Sequence, residues 1–396
     1  TYGIHTPVHL AVAGNFLIAC VAWLASRHVG QAPGPPTTRP HTEALPQPLN
    51  PAILRLILVA LGVSGFTSFA YEIYWTRSLV FILGNSVYAL STMLSAFLSG
   101  IALGGWLVRF LIARVVDRVF LFGWIQVLIG LLSALALPFV FTVADPQALN
   151  EYLLRTTGSA VPLVFAGFGI SFLVMLVPAT LIGATFPLAG QIYVRQRDAT
   201  GSAVGRLYAI NTLGNVLGAL APGLFLLAWL GIQKGILAMA ALNVLVGTVI
   251  LATRSRGRQR QPAWRLAPPA VLVLFAFVLF GAPVGFQFPS EGEQGHFRTL
   301  FYREGPLATT KVYQDPLSGE KYMSVDGIVI GGTGYTEFKQ LLLAHLPKLL
   351  VEDFSTELSV GVGSGILIGE SALHAGVREI TAVEIEPSVI EGAGWF

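Results

Sequence analysis

Residues 356–386 read TELSVGVGSGILIGESALHAGVREITAVEIE, and this stretch decides the fold of the C-terminal part. A short apolar strand runs into Gly361, Gly363 and Gly365, a helix follows, and a second strand ends in Glu384. Units of this kind bind adenosine-type cofactors: the glycines let the backbone approach the ligand, and an acid about 20 residues on grips ribose hydroxyls. Here the acid is Glu384, 23 positions after Gly361. A bare Gly-x-Gly-x-Gly is a weak signal. The flanking strand, the helix and the placed acid give it weight.

Working outward, the sequence changes character. Of 396 residues, 54% are apolar and only 11% charged, and the mean hydropathy is +0.69. Soluble domains carry roughly 25% charge, so most of the chain is expected in lipid. Apolar runs near 7–26, 52–71, 85–108, 119–143, 160–194, 204–228, 233–252 and 268–286 are each long enough to span a bilayer, which takes about 20 residues. In the long 160–194 run, Pro178 and Pro187 predict a kink or a split-off interfacial piece. Charged residues return from about 297, where short strands flank the turn at 316–319 and an amphipathic helix is predicted over 335–350.

The expected fold class is a polytopic α-helical membrane domain followed by a partial α/β methyltransferase-like domain with a small N-terminal β region. The expected boundaries are 1–27, the last helix of an upstream membrane unit; 28–51, a Pro-rich linker; 52–286, the membrane domain; 297–334, the β region; and 335–396, the start of an α/β nucleoside-binding domain. An ungapped likeness between residues 2–17 and 230–245 suggests the upstream unit. The sheet at the C-terminal end reads as the opening of one with five or more strands, so the sequence reads as a window on a longer protein.

Basic residues fall in alternate short loops: Arg109, Arg114 and Arg118; Arg195, Arg197 and Arg206; and Arg254, Arg256, Arg258, Arg260 and Arg265. With a net charge of +3 and no basic stripe, nucleic acid is not an expected partner, and the pattern reads as topology signals. The expected partners are the lipid bilayer and membrane-protein subunits. The expected location is a bacterial inner membrane crossed several times. If 268–286 spans, the soluble part is extracytoplasmic; if it is interfacial, that part is cytoplasmic.

Other features are read more plainly. Glu72 and Arg77 form a membrane-edge polar pair, bonded to each other or to headgroups, or else line a polar pathway. Small residues four apart at 100–104, 201–205 and 214–218 suit close internal helix packing. Asn211, Asn215 and Asn243 read as interhelical hydrogen-bonding groups. Cys20 stands alone, and His345 and His374 have no metal-spaced partners, so no metal site is expected.

Taken in order, GFTSFAYEIYWTR (65–77), FLSGIALGG (97–105), the 178–187 stretch between its two prolines, GRLYAINTLGNVLG (205–218), VDG (325–327), QLLLAHLP (340–347), VGVGSG (360–365) and VEIE (383–386) resemble the transmembrane spermidine-synthase-like family, the fused major-facilitator/spermidine-synthase proteins. The resemblance covers about 52–396. It implies aminopropyl transfer from decarboxylated S-adenosylmethionine to a polyamine, or transfer from S-adenosylmethionine itself. It also implies that Gly361, Gly363 and Gly365 face the nucleoside, that Glu384 holds the ribose, and that Gln340 and His345 flank the pocket. The chain departs from the family's acceptor pattern at Ile330, Tyr335, Thr336, Lys339 and Leu341, which stand where soluble enzymes place glutamine, an Asp-Glu pair, tyrosine and glutamate. The leading expectation is therefore an accessory subunit of a membrane complex whose polyamine chemistry is lost. An active aminopropyl- or methyl-transferase and a transporter are the alternatives.

Overall fold

The structure, a computed structural model, describes residues 49–84, 87–138, 161–194, 200–255, 287–290, 293 and 296–396, with isolated positions between 12 and 24 and between 152 and 158. Most of 1–27, nearly all of the linker 28–51, Arg195, Arg197, Arg256, Arg258, Arg260, Arg265 and the expected span 268–286 lie outside the described residues.

Five described helical stretches are long and apolar enough to cross a membrane. Helix α1 (Pro51–Leu83) opens on Asn50, whose side chain accepts from Ala52 N, with Pro51 in the first turn. Helices α2 (Val87–Arg114), α3 (Arg118–Pro138) and α4 (Val161–Tyr193) follow. Then come α5 (Thr200–Ala221), a π-helical turn at Pro222–Leu226, and α6 (Leu227–Ser255). Helix α4 holds both Pro178 and Pro187 inside one 33-residue element, so the expected split does not occur. Neighbouring helices allow prolines inside spanning helices, and α2 packs along this one, Gly100 and Gly104 lying against Ala179 and Thr180.

The last apolar stretch, Gly201–Thr253, has 53 residues, which at about 1.5 Å each would run far past a hydrocarbon core of about 30 Å. Gly231, with φ 70° and ψ −172°, breaks it. The packing shows that the chain reverses there. Gly214 and Gly218 of α5 lie against Gly62 and Phe66 of α1, so these helices run parallel. Gly235 meets Tyr74, while Asn243 bonds Tyr71 and Thr67, so α6 runs antiparallel to α1.

Small residues set the closest approaches. A side chain at Gly104 would collide with the Thr180 carbonyl oxygen of α4, and one at Gly214 or Gly218 with the Gly62 or Phe66 carbonyl. Two of the three small-residue motifs thus serve internal packing. The third does not: among the described residues nothing lies within 4 Å of a side chain placed at Gly201 or Gly205, because the face of α5 that packs into the core there is the one carrying Ala203 and Leu207. Asn243 is buried and bridges α6 to α1 through Thr67 and Tyr71, at 3.2 and 3.1 Å.

Beyond the helices, β1 (Arg298–Glu304), β2 (Thr309–Gln314), β3 (Lys321–Val325) and β4 (Ile328–Gly332) form an antiparallel meander in sequential order. The two-residue turn between β3 and β4 has φ 49° at Asp326 and 85° at Gly327, the left-handed pair that matches strand twist. Helix α7 (Glu337–Leu350) leads to β5 (Thr356–Val360), α8 (Ile366–Ala372), β6 (Glu379–Val383) and α9 (Pro387–Ala393). Strands β5 and β6 pair in parallel, Thr356 with Glu379 through Val360 with Val383. Val389 of α9 packs on Val312 and Met323, joining the α/β unit to the meander. The expected fold class, helical spans followed by a sheet-and-helix region, is the observed layout.

Candidate functional site

The parallel pairing of β5 and β6 brings the end of one strand beside the end of the other. Gly361 N closes the ladder on the Val383 carbonyl at 2.7 Å, so the glycine turn and Glu384 leave the sheet side by side. Gly361, Gly363 and Gly365 all hold positive φ, at 99°, 56° and 81°. Among the described residues nothing lies within 4 Å of a side chain placed at Gly361 or Gly363. Only glycine adopts this backbone without strain while leaving the amides uncovered.

The Glu384 carboxylate accepts from Val362 N at 2.9 Å and from Ile385 N and Glu386 N at 2.9 and 3.1 Å. Partial burial works to raise its pKa, but the backbone donors Val362, Glu386, Ile385 and Gly363 outweigh it and hold the group below its ordinary value. An ionised carboxylate has about four acceptor positions, and the turn's own amides take most of them. Glu384 thus shapes the turn, and ribose hydroxyls would share it with the backbone.

Gln340 lies under the turn. It is buried, donates to the Gly332 carbonyl at 3.1 Å, and accepts from the Ser364 hydroxyl, so it clips the glycine turn to the end of β4. His345 is placed differently from the expectation. Five residues from Gln340, it sits about 140° around α7 and about 7.5 Å along it, facing the far end of α8. There its Nδ1 lies 2.7 Å from Nε2 of His374, and its Nε2 lies 3.4 Å from Glu370. Among the described residues no group of three or more His, Cys, Asp or Glu could hold a metal ion.

The proposed pair of Glu72 and Arg77 does not form. Five positions apart on a helix, the two point about 140° away from each other. Arg77 instead donates to the carbonyls of Leu307 and of Gly305 (3.3 Å), and it stands 3.8 Å from Asp326. Burial pushes the Asp326 carboxyl above its usual range; the Thr309 N–H and Arg77 pull it back. Nearby, Phe81 stacks on Phe288 with ring centroids 4.3 Å apart. Glu304 of β1 accepts from Ile232 N and so caps the restart of α6 at the Gly231 reversal. The soluble lobe is therefore fastened to the far ends of α1 and of the α5–α6 turn. Arg77→Ala, which strands Asp326 and two carbonyls, is expected to loosen this seam by about 2–3 kcal/mol. Faster proteolysis within 287–332 in the variant than in the parent would show it, with Arg77→Lys intermediate.

One acid escaped the sequence reading. Glu386, buried, accepts from Leu307 N and Ala308 N at 2.8 and 3.0 Å and from Ser388 N and Oγ at 3.1 and 2.8 Å. It caps α9 and at the same time holds the β1–β2 turn whose carbonyls Arg77 holds from the other side. The Glu-Pro-Ser run at 386–388 after a strand was the available signal, an acid before a helix-opening proline.

A helical bundle of membrane-spanning length followed by a sheet-and-helix unit with a glycine turn is the class that this fold and site define. No family model matches the chain. Among curated proteins it is 25% identical over 361 residues to polyamine aminopropyltransferase 1 of Streptomyces coelicolor, covering 86% of this chain and 61% of the relative. It is 28% identical over 350 residues to polyamine aminopropyltransferase of Corynebacterium efficiens, covering 85% and 62%. To polyamine aminopropyltransferase 1 of Ralstonia nicotianae it is 25% identical over 379 residues, covering 89% and 64%. The chain thus spans about six-tenths of the length of the curated relatives it matches. Homologues of this name extend over about 85% of the chain, and the resemblance to transmembrane spermidine-synthase-like proteins is borne out.

Proposed function

We propose that this chain is the membrane-embedded, nucleoside-binding part of a spermidine-synthase-like transferase, and that decarboxylated S-adenosylmethionine or S-adenosylmethionine lies over the glycine turn. The observation that carries this is the open, positive-φ turn at Gly361–Gly365 with Glu384 fixed beside it. The names of the relatives support the decarboxylated nucleoside. In such a transfer an amine attacks the carbon next to the sulfonium. A C–N bond forms, the C–S bond breaks with its electron pair left on sulfur, and the amine's proton goes to a base. Holding donor and amine in line is the main contribution a protein makes.

A second reading, an accessory subunit that retains the nucleoside fold without polyamine chemistry, draws on the other side of the pocket. Ile330 and Tyr335 are exposed there, Lys339 would repel a cationic acceptor, and Glu337 is turned to Gly334 N at 3.3 Å. On that reading the chain packs in a bacterial inner membrane with partner subunits and co-purifies with them in fixed stoichiometry. A transporter has less support, because Arg77 is committed to the lobe and leaves Glu72 without its expected companion.

Calorimetric titration of the detergent-solubilised full-length protein with each nucleoside separates these readings. Binding of one nucleoside, weakened about 10- to 100-fold by Glu384→Ala, supports the transferase. No heat with either nucleoside, from a sample shown to be folded, refutes it and leaves the accessory subunit.

A further inference from the structure

We infer that the nucleoside-type lobe faces the extracytoplasmic side of the membrane, so that its substrates come from that compartment. The argument rests on the directions of the helices. Helix α1 runs parallel to α5 and antiparallel to α6, and only three residues separate α1 from α2 and α2 from α3, so each of these helices starts on the face where the one before it ends. Gly123 and Gly130 of α3 meet Ile250 and Val244 of α6, an antiparallel pair; Gly100 and Gly104 of α2 meet Ala179 and Thr180 of α4, a parallel pair.

These directions sort the helix ends onto two faces. On one lie the start of α1 with Arg55, the α2–α3 connection with Arg109, Arg114 and Arg118, the start of α5 with Arg206, and the end of α6 with Arg254. On the other lie the end of α1 with Arg77, the Gly231 reversal with Lys234, and the connection before α4 with Arg155. Six arginines against three basic residues mark the first face as cytoplasmic, since Lys and Arg near span ends stay inside.

The lobe is fastened to the second face. Its contacts are Arg77 with Leu307, Gly305 and Asp326, Phe81 with Phe288, and Glu304 with Ile232 N. Ser255 and Phe288 therefore end on opposite faces, and the sequence between them contains the apolar run 268–286, long enough to cross. This inference uses helix direction and charge, not the nucleoside reading, and each can fail without the other. If both hold, any acceptor amine and the sulfonium donor must reach the lobe from the extracytoplasmic side.

The test is cysteine labelling of the full-length chain in spheroplasts with a membrane-impermeant maleimide, in a Cys20→Ser background. Leu317→Cys lies in the exposed β2–β3 turn (Leu317 is 86% exposed) and Val116→Cys in the α2–α3 connection (Val116 is fully exposed). Labelling in detergent sets the maximum for each. Leu317→Cys is expected to label in intact spheroplasts at least tenfold faster than Val116→Cys, which reacts only once the membrane is opened. The reverse order, or equal rates at the two positions, overturns the inference. Glu352→Cys, also exposed, replaces Leu317→Cys should that variant fold poorly.

Discussion

Glu386→Ala is expected to destabilise the lobe by about 3–5 kcal/mol, a sum of orphaned buried donors and a lost helix cap. Four donors converge on this one carboxylate, from Leu307, Ala308 and Ser388; alanine takes the partner from the three backbone N–H groups, while the Ser388 hydroxyl keeps Thr310 Oγ1 at 2.7 Å. Thermal unfolding followed in the lobe should show the loss directly, and Glu386→Gln, which keeps one acceptor oxygen, should fall between. The same site makes a pH prediction. Burial raises the Glu386 pKa, but the Ser388, Leu307 and Ala308 donors prevail and hold it below its ordinary value of 4.5. A carboxylate depressed in the folded state adds stability that is complete above its unfolded value and is lost as pH falls through the folded one. The lobe should therefore weaken below about pH 4.5 in the parent and lose that acid sensitivity in Glu386→Ala. Asp326, raised by burial, acts in the opposite sense, so Asp326→Asn serves as the control.

Gly104→Leu should cost at least about 3 kcal/mol, the upper end of overpacking effects. The obstacle at Gly104 is the backbone carbonyl of Thr180, with Ala184 N close by, and not a side chain that can swing aside. Either α2 and α4 separate along their whole parallel contact or the bundle fails to assemble. The measurement is the yield of monodisperse protein in mild detergent, with Gly201→Leu as the comparison. Position 201 has open space around it, so an unchanged yield for Gly201→Leu beside a collapse for Gly104→Leu is the expected result. Equal tolerance at both positions would mean that the close approach contributes little.

Much of this architecture was legible because its signals are local. Apolar runs of span length predicted the helices α1 to α6, and the spacing of Gly361, Gly363, Gly365 and Glu384 predicted a strand, turn, helix and strand that the structure contains. What stayed hidden depends on partners distant in sequence. Pro178 and Pro187 look like breakers until α2 packs along the helix that contains them, whereas the break at Gly231 falls in the gap between the runs 204–228 and 233–252 that the sequence already separates. Arg77 read as a companion of Glu72 because proximity in sequence was the only proximity available. Its true contacts lie on a hairpin that sequence alone does not bring to it. For His345 the helix register decided: the position that follows Gln340 by five turns away from the glycine turn toward His374.

That hairpin has a consequence for biosynthesis. Arg77 is made early, yet the carbonyl it holds follows 230 residues later. Spanning helices insert before they pack, and contacts with such long sequence separation form late because loop closure must come first. The end of α1 therefore waits with its guanidinium unfilled until the β1–β2 turn has been made and folded. Ribosome stalling or proteolytic loss between those two events would leave a bundle with an exposed cation at its rim. Quality-control proteases at the membrane surface would have a ready means of telling that half-made product from the finished one.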